Sequence, residues 1–215
     1  MMDIDFSHPI VQSFFIFSVT ALVPFLLVSA TCFTRYVIVL SLLRTALGLQ
    51  QTPPNIVIIS MAIFMSFFTM TPVVGEIKKS SYDQFKQGLI TQAESVDNGL
   101  SVFSDFLSRK VNDSDYDFVE NLSEREEDDY EIIGYNLSVL IPAFMLSELK
   151  AAFQFSFIIF LPFLLIDLIV ASVLMALGMI MLPPISISLP VKLLIFVLVD
   201  GWTLVVGSLI QGFGM

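Results

Sequence analysis

Charged residues are concentrated in one segment of this chain, and almost everything on either side of that segment is apolar. The segment from Glu76 to Glu131 holds fifteen of the twenty acidic residues and six of the ten basic residues. A soluble domain could not cover the long apolar stretches that flank it with polar surface. The pattern therefore predicts an all-α, membrane-associated protein with one acidic excursion outside the apolar region.

Several classes of function are disfavoured by the same composition. No stripe of Lys and Arg is available to neutralise phosphates, so we expect no nucleic-acid partner. The chain has a single histidine, His8, and a single cysteine, Cys32, which argues against a metal site, a catalytic dyad and a disulfide. We expect Cys32 to be buried and inert. No nucleotide-binding or hydrolase motif occurs, so we expect neither a cofactor nor an enzyme.

Four apolar runs divide the chain. They span residues 10–49, 55–74, 137–182 and 191–213. We expect the third run to be broken at residues 147–150 and bent at Pro162, and a short turn to lie between Pro183–Pro184 and Pro190. We divide the chain into N-terminal hydrophobic helices (1–75), an acidic periplasmic insert (76–136) and C-terminal helical hairpins (137–215). The second and fourth runs match the roughly 20 residues that cross a bilayer, whereas the first and third are about twice as long. Each long run is either a tight helical hairpin or part of a bundle taller than the membrane.

The insert combines a helical pattern with an acidic stretch. Apolar residues recur at three-, four- and seven-residue spacings from Phe85 to Leu107, which predicts an amphipathic helix. Residues 112–129 are acidic and weakly apolar, and we expect a mobile loop there. Asp3 and Asp5 stand where a signal peptide would have basic residues, so we expect an uncleaved N-terminus.

The basic residues indicate an orientation in the membrane. Arg35 and Arg44 precede the turn between the first two runs, and Lys192 follows the turn between the last two. The positive-inside tendency places both turns in the cytoplasm. The acidic insert and both termini then lie on the outer side of the membrane, in the periplasm of a bacterium.

Charged residues inside apolar runs need an explanation. Glu148 and Lys150 are two residues apart and point away from each other on a helix, so each requires a partner elsewhere. Asp167 and Asp200 lie deep in apolar runs, where an unpaired carboxylate costs at least about 3 kcal/mol. We favour polar contacts that fix helix packing. Proton or ion translocation, as in a secondary transporter or proton channel, is the alternative.

The turn between the third and fourth runs contains two methionines, Met179 and Met181, shortly before Pro183 and Pro184. The thioether side chain is flexible and polarizable, and it can repack around a changing contact. If several copies turned this segment toward a pore, it would form a soft hydrophobic seal. On the sequence pattern alone, ordinary core packing is the commoner role for such a pair.

Long stretches of the chain resemble the FliP/SctR family. The matching stretches are FTRYVIVLSLLRTALGLQQTPPN (33–55), SELKAAF (147–153), FLPFLLID (160–167) and LPVKLLIFVLVDGW (189–202). They cover nearly the whole chain outside the acidic insert. The family supplies the main subunit of the export gate in bacterial type III secretion systems and flagella.

The resemblance implies a subunit that acts by assembly and not by catalysis. It implies a homopentamer that joins SctS/FliQ-type and SctT/FliR-type subunits around a central path for unfolded secreted proteins. Export components of the SctU/FlhB and SctV/FlhA types are further implied partners. The assembly would belong to the bacterial inner membrane and stand largely on its periplasmic side, which favours the tall-bundle explanation.

Site residues also follow from the resemblance. The methionine-rich gasket of the family falls on Met179, Ile180 and Met181, and the β-branched Ile180 makes this version stiffer. Glu148, Lys150, Asp167, Lys192 and Asp200 are expected to make polar contacts between subunits, with Glu148 pairing Lys192 of a neighbour. The absence of an evident signal sequence, together with residues 49–55 and 96–100, favours the secretion-system branch, and the flagellar branch is the alternative.

Overall fold

In the computed structural model, residues 28–123 and 137–213 are described, together with a few helical residues between positions 13 and 25. All regular structure in these parts is helical, so the predicted all-α membrane fold is confirmed. The helices are α1 (Phe33–Ala46), α2 (Asn55–Ile77), α3 (Asp83–Lys86), α4 (Gln92–Lys110), α5 (Asp113–Leu122), α6 (Leu137–Ala176), α7 (Ile185–Leu198) and α8 (Gly201–Gly212). A π-helical segment, Lys78–Tyr82, joins α2 to α3.

Helix α1 forms the centre of the fold and packs against α2 and α6. Its buried residues Tyr36, Val39, Leu40 and Leu43 follow the three- and four-residue spacing of one helical face. The hydroxyl of Tyr36 lies 2.8 Å from that of Thr69 on α2, which satisfies both polar groups in the apolar interior. Cys32 is also fully buried, as expected.

Helix α6 contains 40 residues without interruption. At 1.5 Å per residue it is about 60 Å long, twice the hydrocarbon thickness of a bilayer. The predicted break at residues 147–150 is therefore wrong, because the helix continues through Glu148 and Lys150 as well as through Pro162. Within the third apolar run, the continuous helix excludes the internal hairpin, and the tall-bundle explanation stays a prediction. Most of the first run before residue 28 lies outside the described residues.

Helix α7 begins immediately after Pro184 and carries Pro190 inside it, so Pro190 does not close the preceding turn as the sequence suggested. Helices α7 and α8 together are long and apolar enough to form one membrane span, and the angle between them is 64°. The bend lies at Asp200, whose φ of 51° is left-handed. Gly201 packs directly under the ring of Phe196, where an added Cβ would lie 2.3 Å from ring carbons. Only glycine fits there, which makes the bend a packed corner.

The polar insert is more helical than predicted. The amphipathic pattern from Phe85 to Leu107 is divided between α3 and α4, because Gly88 adopts a φ of 72° and ends α3. Thr91 then begins α4 with a capping box: its hydroxyl accepts from the Glu94 amide, and the Glu94 carboxylate accepts from the Thr91 amide. The expected mobile loop is wrong for residues 113–122, which form α5, while 124–129 lie outside the described residues.

Two helical segments are long and apolar enough to cross a membrane, Asn55–Lys86 and Leu137–Ala176, and the bent α7–α8 pair is a third candidate. The first of these passes without a break across the expected boundary between residues 75 and 76. The division into 1–75, 76–136 and 137–215 stays a prediction.

Candidate functional site: ion pairs in the helical bundle and the methionine turn

Arg35 and Glu148 form a bidentate ion pair between α1 and α6. The distances are 2.8 Å from Nε to Oε2 and 2.6 Å from Nη2 to Oε1. The Glu148 side chain is only 1% exposed and that of Arg35 is 14% exposed. The planar guanidinium matches the two carboxylate oxygens, which supplies the geometry that a buried charge pair requires.

The end of α8 is held beside this pair. The ring of Phe213 lies between two cations, with its centroid 4.9 Å from the guanidinium carbon of Arg35 and 4.8 Å from Nζ of Lys110. Nζ of Lys110 also donates to the Phe213 carbonyl. Burial, reinforced by the charge of Arg35, lowers the pKa of Lys110, although Glu148 opposes this effect. The last turn of α8, the end of α4 and the start of α1 therefore meet at one point.

The insert is attached to α6 through Asp115 of α5. Asp115 is almost fully buried and accepts hydrogen bonds from Oγ of Ser147, at 2.7 Å, and from Nζ of Lys150. Burial alone would raise the pKa of Asp115, but the hydrogen bonds from Lys150, Ser147 and Asn112 outweigh it and hold the pKa below its ordinary value. Sequence reasoning missed Asp115 because it lies in the acidic stretch that we expected to be mobile.

Lys192 joins three helices near the other end of α1. Its Nζ donates to Oδ2 of Asp167 on α6, at 2.6 Å, and to the carbonyl of Ala46 at the end of α1, at 3.1 Å. A cation is favourable at a helix C-terminus, where the last carbonyls lack partners. Asp167 is thus neutralised by a fixed ammonium group, an arrangement suited to joining helices.

The need for partners on other helices is confirmed for Glu148 and Lys150, and those partners belong to the same chain. The reason for pairing Glu148 with Lys192 of a neighbouring subunit was the lack of a partner within the chain, and that reason no longer applies. Asp200 is exposed, and the described residues place no ion-pair partner beside it. Contacts of these side chains between subunits stay predictions.

The cationic residues used for orientation have structural roles. Arg35 is neutralised by Glu148, and Lys192 is neutralised by Asp167. Arg44 donates from Nη1 to the Pro53 carbonyl, at 3.1 Å, and to Oδ1 of Asn55, at 2.7 Å, which fixes the turn between α1 and α2. The positive-inside tendency counts basic residues whether or not they are paired, so the predicted orientation stays a prediction.

The methionine turn projects from the end of α6. Gly178 has a φ of 73° and terminates α6 in a Schellman motif, with the Met179 amide bonded to the Leu174 carbonyl and the Gly178 amide to the Met175 carbonyl. Met179 is 43% exposed, Ile180 is 83% exposed and Met181 is 99% exposed. These side chains lie outside the core of the single chain, so packing within one chain does not account for them.

Within the described ranges, no three His, Cys, Asp or Glu side chains are placed to hold a metal ion. The contacts described at these sites are ion pairs, hydrogen bonds and apolar packing.

Comparison with known proteins agrees with the sequence resemblance. The FliP family model matches residues 16–209. The flagellar biosynthetic protein FliP of Pectobacterium carotovorum subsp. carotovorum is 45% identical, covering 94% of this chain and 78% of the relative. That of Bacillus subtilis (strain 168) is 43% identical, covering 94% and 91%. That of Cereibacter sphaeroides is 49% identical, covering 86% and 62%.

These relatives correct one expectation. Their names are flagellar, so the flagellar alternative is better supported than the secretion-system branch that the sequence motifs favoured. The motifs at residues 49–55 and 96–100 were too short to separate the two branches. Because the family model covers nearly the whole chain and relatives above 40% identity align over most of their own length, the chain belongs to the FliP family.

Proposed function

We propose that this chain is a core subunit of a flagellar type III export gate, forming with its partners the inner-membrane pore through which unfolded proteins pass. Membership of the FliP family and the flagellar names of the relatives support this proposal. As a FliP-family protein, the chain is a component of an export apparatus and not an enzyme.

The observation that carries the proposal is the mismatch between exposed apolar surface and bilayer thickness. Leu165, Leu168 and Ile169 on α6, and Val197 and Leu198 on α7, are each more than half exposed. Helix α6 is about twice as long as the hydrocarbon layer, so lipid can cover only about half of its length. The remaining apolar surface has to be covered by other protein subunits.

The partners follow from the resemblance and from this uncovered surface. We propose several copies of the chain, five by resemblance, with FliQ-type and FliR-type membrane subunits beside them. Export components of the FlhB and FlhA types are proposed neighbours at the entrance. The assembly would stand in the inner membrane and largely on its periplasmic side, which accommodates helices taller than the bilayer.

The turn after α6 is proposed as the gate. Met179, Ile180 and Met181 project from the end of a long helix, as a ring of copies would require for a seal. Flexible thioethers can close around a passing chain of any sequence. The stiffer Ile180 keeps the seal apolar with less freedom to repack.

Replacing Met179 and Met181 with alanine tests this gate. The shorter side chains should leave a gap in the seal, so cells producing the double variant should leak small ions and become sensitive to salt stress, while the complex still assembles. Met175→Ala is the matched control, because Met175 is 64% exposed on the last turns of α6 but precedes the turn. Unchanged leakage in an assembled double variant would count against a gating role.

A further inference from the structure

A cleft of about 600 Å³ opens where α2 ends and α4 packs against it. Three basic residues line this cleft, Lys79, Arg109 and Lys110, together with one acid, Glu76. The insert as a whole is strongly acidic, yet half of its six basic residues gather here. The lining carries more positive than negative charge, so the cleft favours an anionic occupant.

Two of the three cations are available to such an occupant. Lys79 and Arg109 are exposed, and neither forms an ion pair with any residue that the structure describes. Arg109 donates from Nε to the Asp105 carbonyl, at 3.0 Å, a hydrogen bond within α4 that does not use its Nη groups. Lys110 donates to the Phe213 carbonyl and adds positive charge behind the other two. An ammonium group beside a guanidinium group suits a phosphate.

The cleft continues into an exposed apolar stripe along α2. Phe64, Phe68 and Pro72 follow one another at four-residue intervals, so they lie along one side of the helix. Phe64 is 73% exposed and Phe68 is 60% exposed, and Pro72 lines the cleft itself. Helix α2 belongs to a segment that is long and apolar enough to cross a membrane. A cationic cleft at the end of an apolar stripe matches the headgroup and the acyl chains of a phospholipid.

We infer that the cleft binds the phosphate of an anionic phospholipid whose acyl chains lie along Phe64 and Phe68. Lys79 and Arg109 would bind the phosphate oxygens. A headgroup with its own ammonium group would add a positive charge among these cations, so phosphatidylglycerol should bind better than phosphatidylethanolamine. The lipid site is formed by one chain and goes beyond the proposed role in protein export.

Lipid retention by the purified complex tests the phosphate site. The tagged chain would be expressed with its membrane partner subunits, extracted in mild detergent, supplied with equal amounts of the two lipids and analysed by native mass spectrometry. The parent complex should retain mainly phosphatidylglycerol. Lys79→Gln/Arg109→Gln should reduce that retention by at least about tenfold, whereas the charge-conserving Lys79→Arg/Arg109→Lys should preserve most of it. Lys86→Gln is the matched control, since Lys86 is an exposed base of the insert outside the cleft.

Phe68→Ala tests the acyl-chain part of the site. It should lower the retention of phosphatidylglycerol by about threefold or more, because apolar surface that contacts the chains is lost. Phe67→Ala is the control. Phe67 is equally exposed, at 60%, but its side chain lies about 100° away around α2 and should leave retention unchanged.

Four results would overturn the inference. The parent complex could retain the two lipids equally, or Lys79→Gln/Arg109→Gln could retain as much phosphatidylglycerol as Lys86→Gln. Inorganic phosphate could displace the phosphatidylglycerol, which would identify a free anion as the occupant. Lys79→Gln/Arg109→Gln could lose a partner subunit while keeping its lipid, which would assign the cleft to a protein.

Discussion

Charged side chains contribute to this bundle through ion pairs that join one helix to another. Four charged residues of the apolar runs, Glu148, Lys150, Asp167 and Lys192, each have an oppositely charged partner on another helix. A buried pair adds little net stability compared with an apolar pair of the same shape, but breaking it leaves one charge without compensation. This argument applies to Arg35 and Glu148, the pair that is largely buried on both sides, and we expect that pair to act mainly by specifying how α1 packs against α6.

Glu148→Ala should be strongly destabilising. It leaves Arg35 without its carboxylate in a largely buried position, at a cost of about 3–5 kcal/mol. Arg35→Met/Glu148→Met should cost clearly less, because it removes both charges and retains volume. Thermal unfolding of the detergent-solubilised protein measures both variants. A Glu148→Ala protein as stable as the parent would show that the ion pair is not needed.

Gly201→Ala should destabilise the corner between α7 and α8. The added methyl group would lie 2.3 Å from the Phe196 ring, which cannot move freely because Trp202 packs edge-on against it at a centroid distance of 5.4 Å. We expect a loss of about 1–3 kcal/mol, typical of overpacking. Gly207→Ala is the control, since nothing lies within 4 Å of its added Cβ. Equal melting temperatures for the two variants would contradict the packed corner.

The sequence predicted that Glu148 and Lys150 need partners, because side chains two residues apart on a helix point in different directions. It did not predict the partners themselves. Arg35 is 113 positions from Glu148, and Asp115 stands among acidic residues that look alike in the sequence. Long-range contacts of this kind depend on how helices pack, which periodicity does not encode.

Asp115 is a buried carboxylate through which α5 is attached to α6, beside the Asn112 amide that donates to Oγ of Ser147. Asp115→Asn should loosen this helix, because it removes the charge that Lys150 and Ser147 stabilise. Hydrogen–deuterium exchange of residues 113–122 should rise by at least about tenfold, as expected for the loss of roughly 1.4 kcal/mol of local stability. Asp97→Asn on α4, an exposed acid, should leave exchange unchanged.

The attachment of α5 to α6 should weaken in acid, because Asp115 loses its charge as the pH falls. The pKa of Asp115 is lowered in the folded chain from an ordinary value of 3.8. Its contribution to stability is therefore complete above that value and is lost as the pH falls through the lower, folded pKa. Hydrogen–deuterium exchange of α5 should become faster below about pH 4 in the parent protein. The same increase should be smaller in Asp115→Asn, because the substituted side chain does not titrate.

Local patterns predicted helix type better than helix ends. The spacing of apolar residues correctly indicated an amphipathic helix in the insert, but the positive φ of Gly88 divides it into α3 and α4. Conversely, Pro162 and Pro190 suggested a bend and a turn boundary, yet both lie inside continuous helices. Proline removes one hydrogen bond, and neighbouring turns of a long helix can tolerate that loss.

The molecule as a whole presents exposed apolar surface along a 40-residue helix that is about twice as long as the hydrocarbon layer of a bilayer. The sequence predicted the all-α membrane class because the charge distribution is global and unambiguous. It did not identify the flagellar branch, since the N-terminal residues and two short motifs carry little information about the branch. Three features indicate a subunit that is completed by other subunits. They are the length of α6, the exposed apolar side chains of α6 and α7, and the projecting methionine turn.

The mass of the assembled particle tests this account most directly. The tagged chain would be expressed with its membrane partner subunits, extracted in mild detergent and analysed by native mass spectrometry. We expect one particle that contains several copies of this chain, five by resemblance, together with smaller membrane subunits. A stable single copy that supports protein export without companions would contradict the central claim.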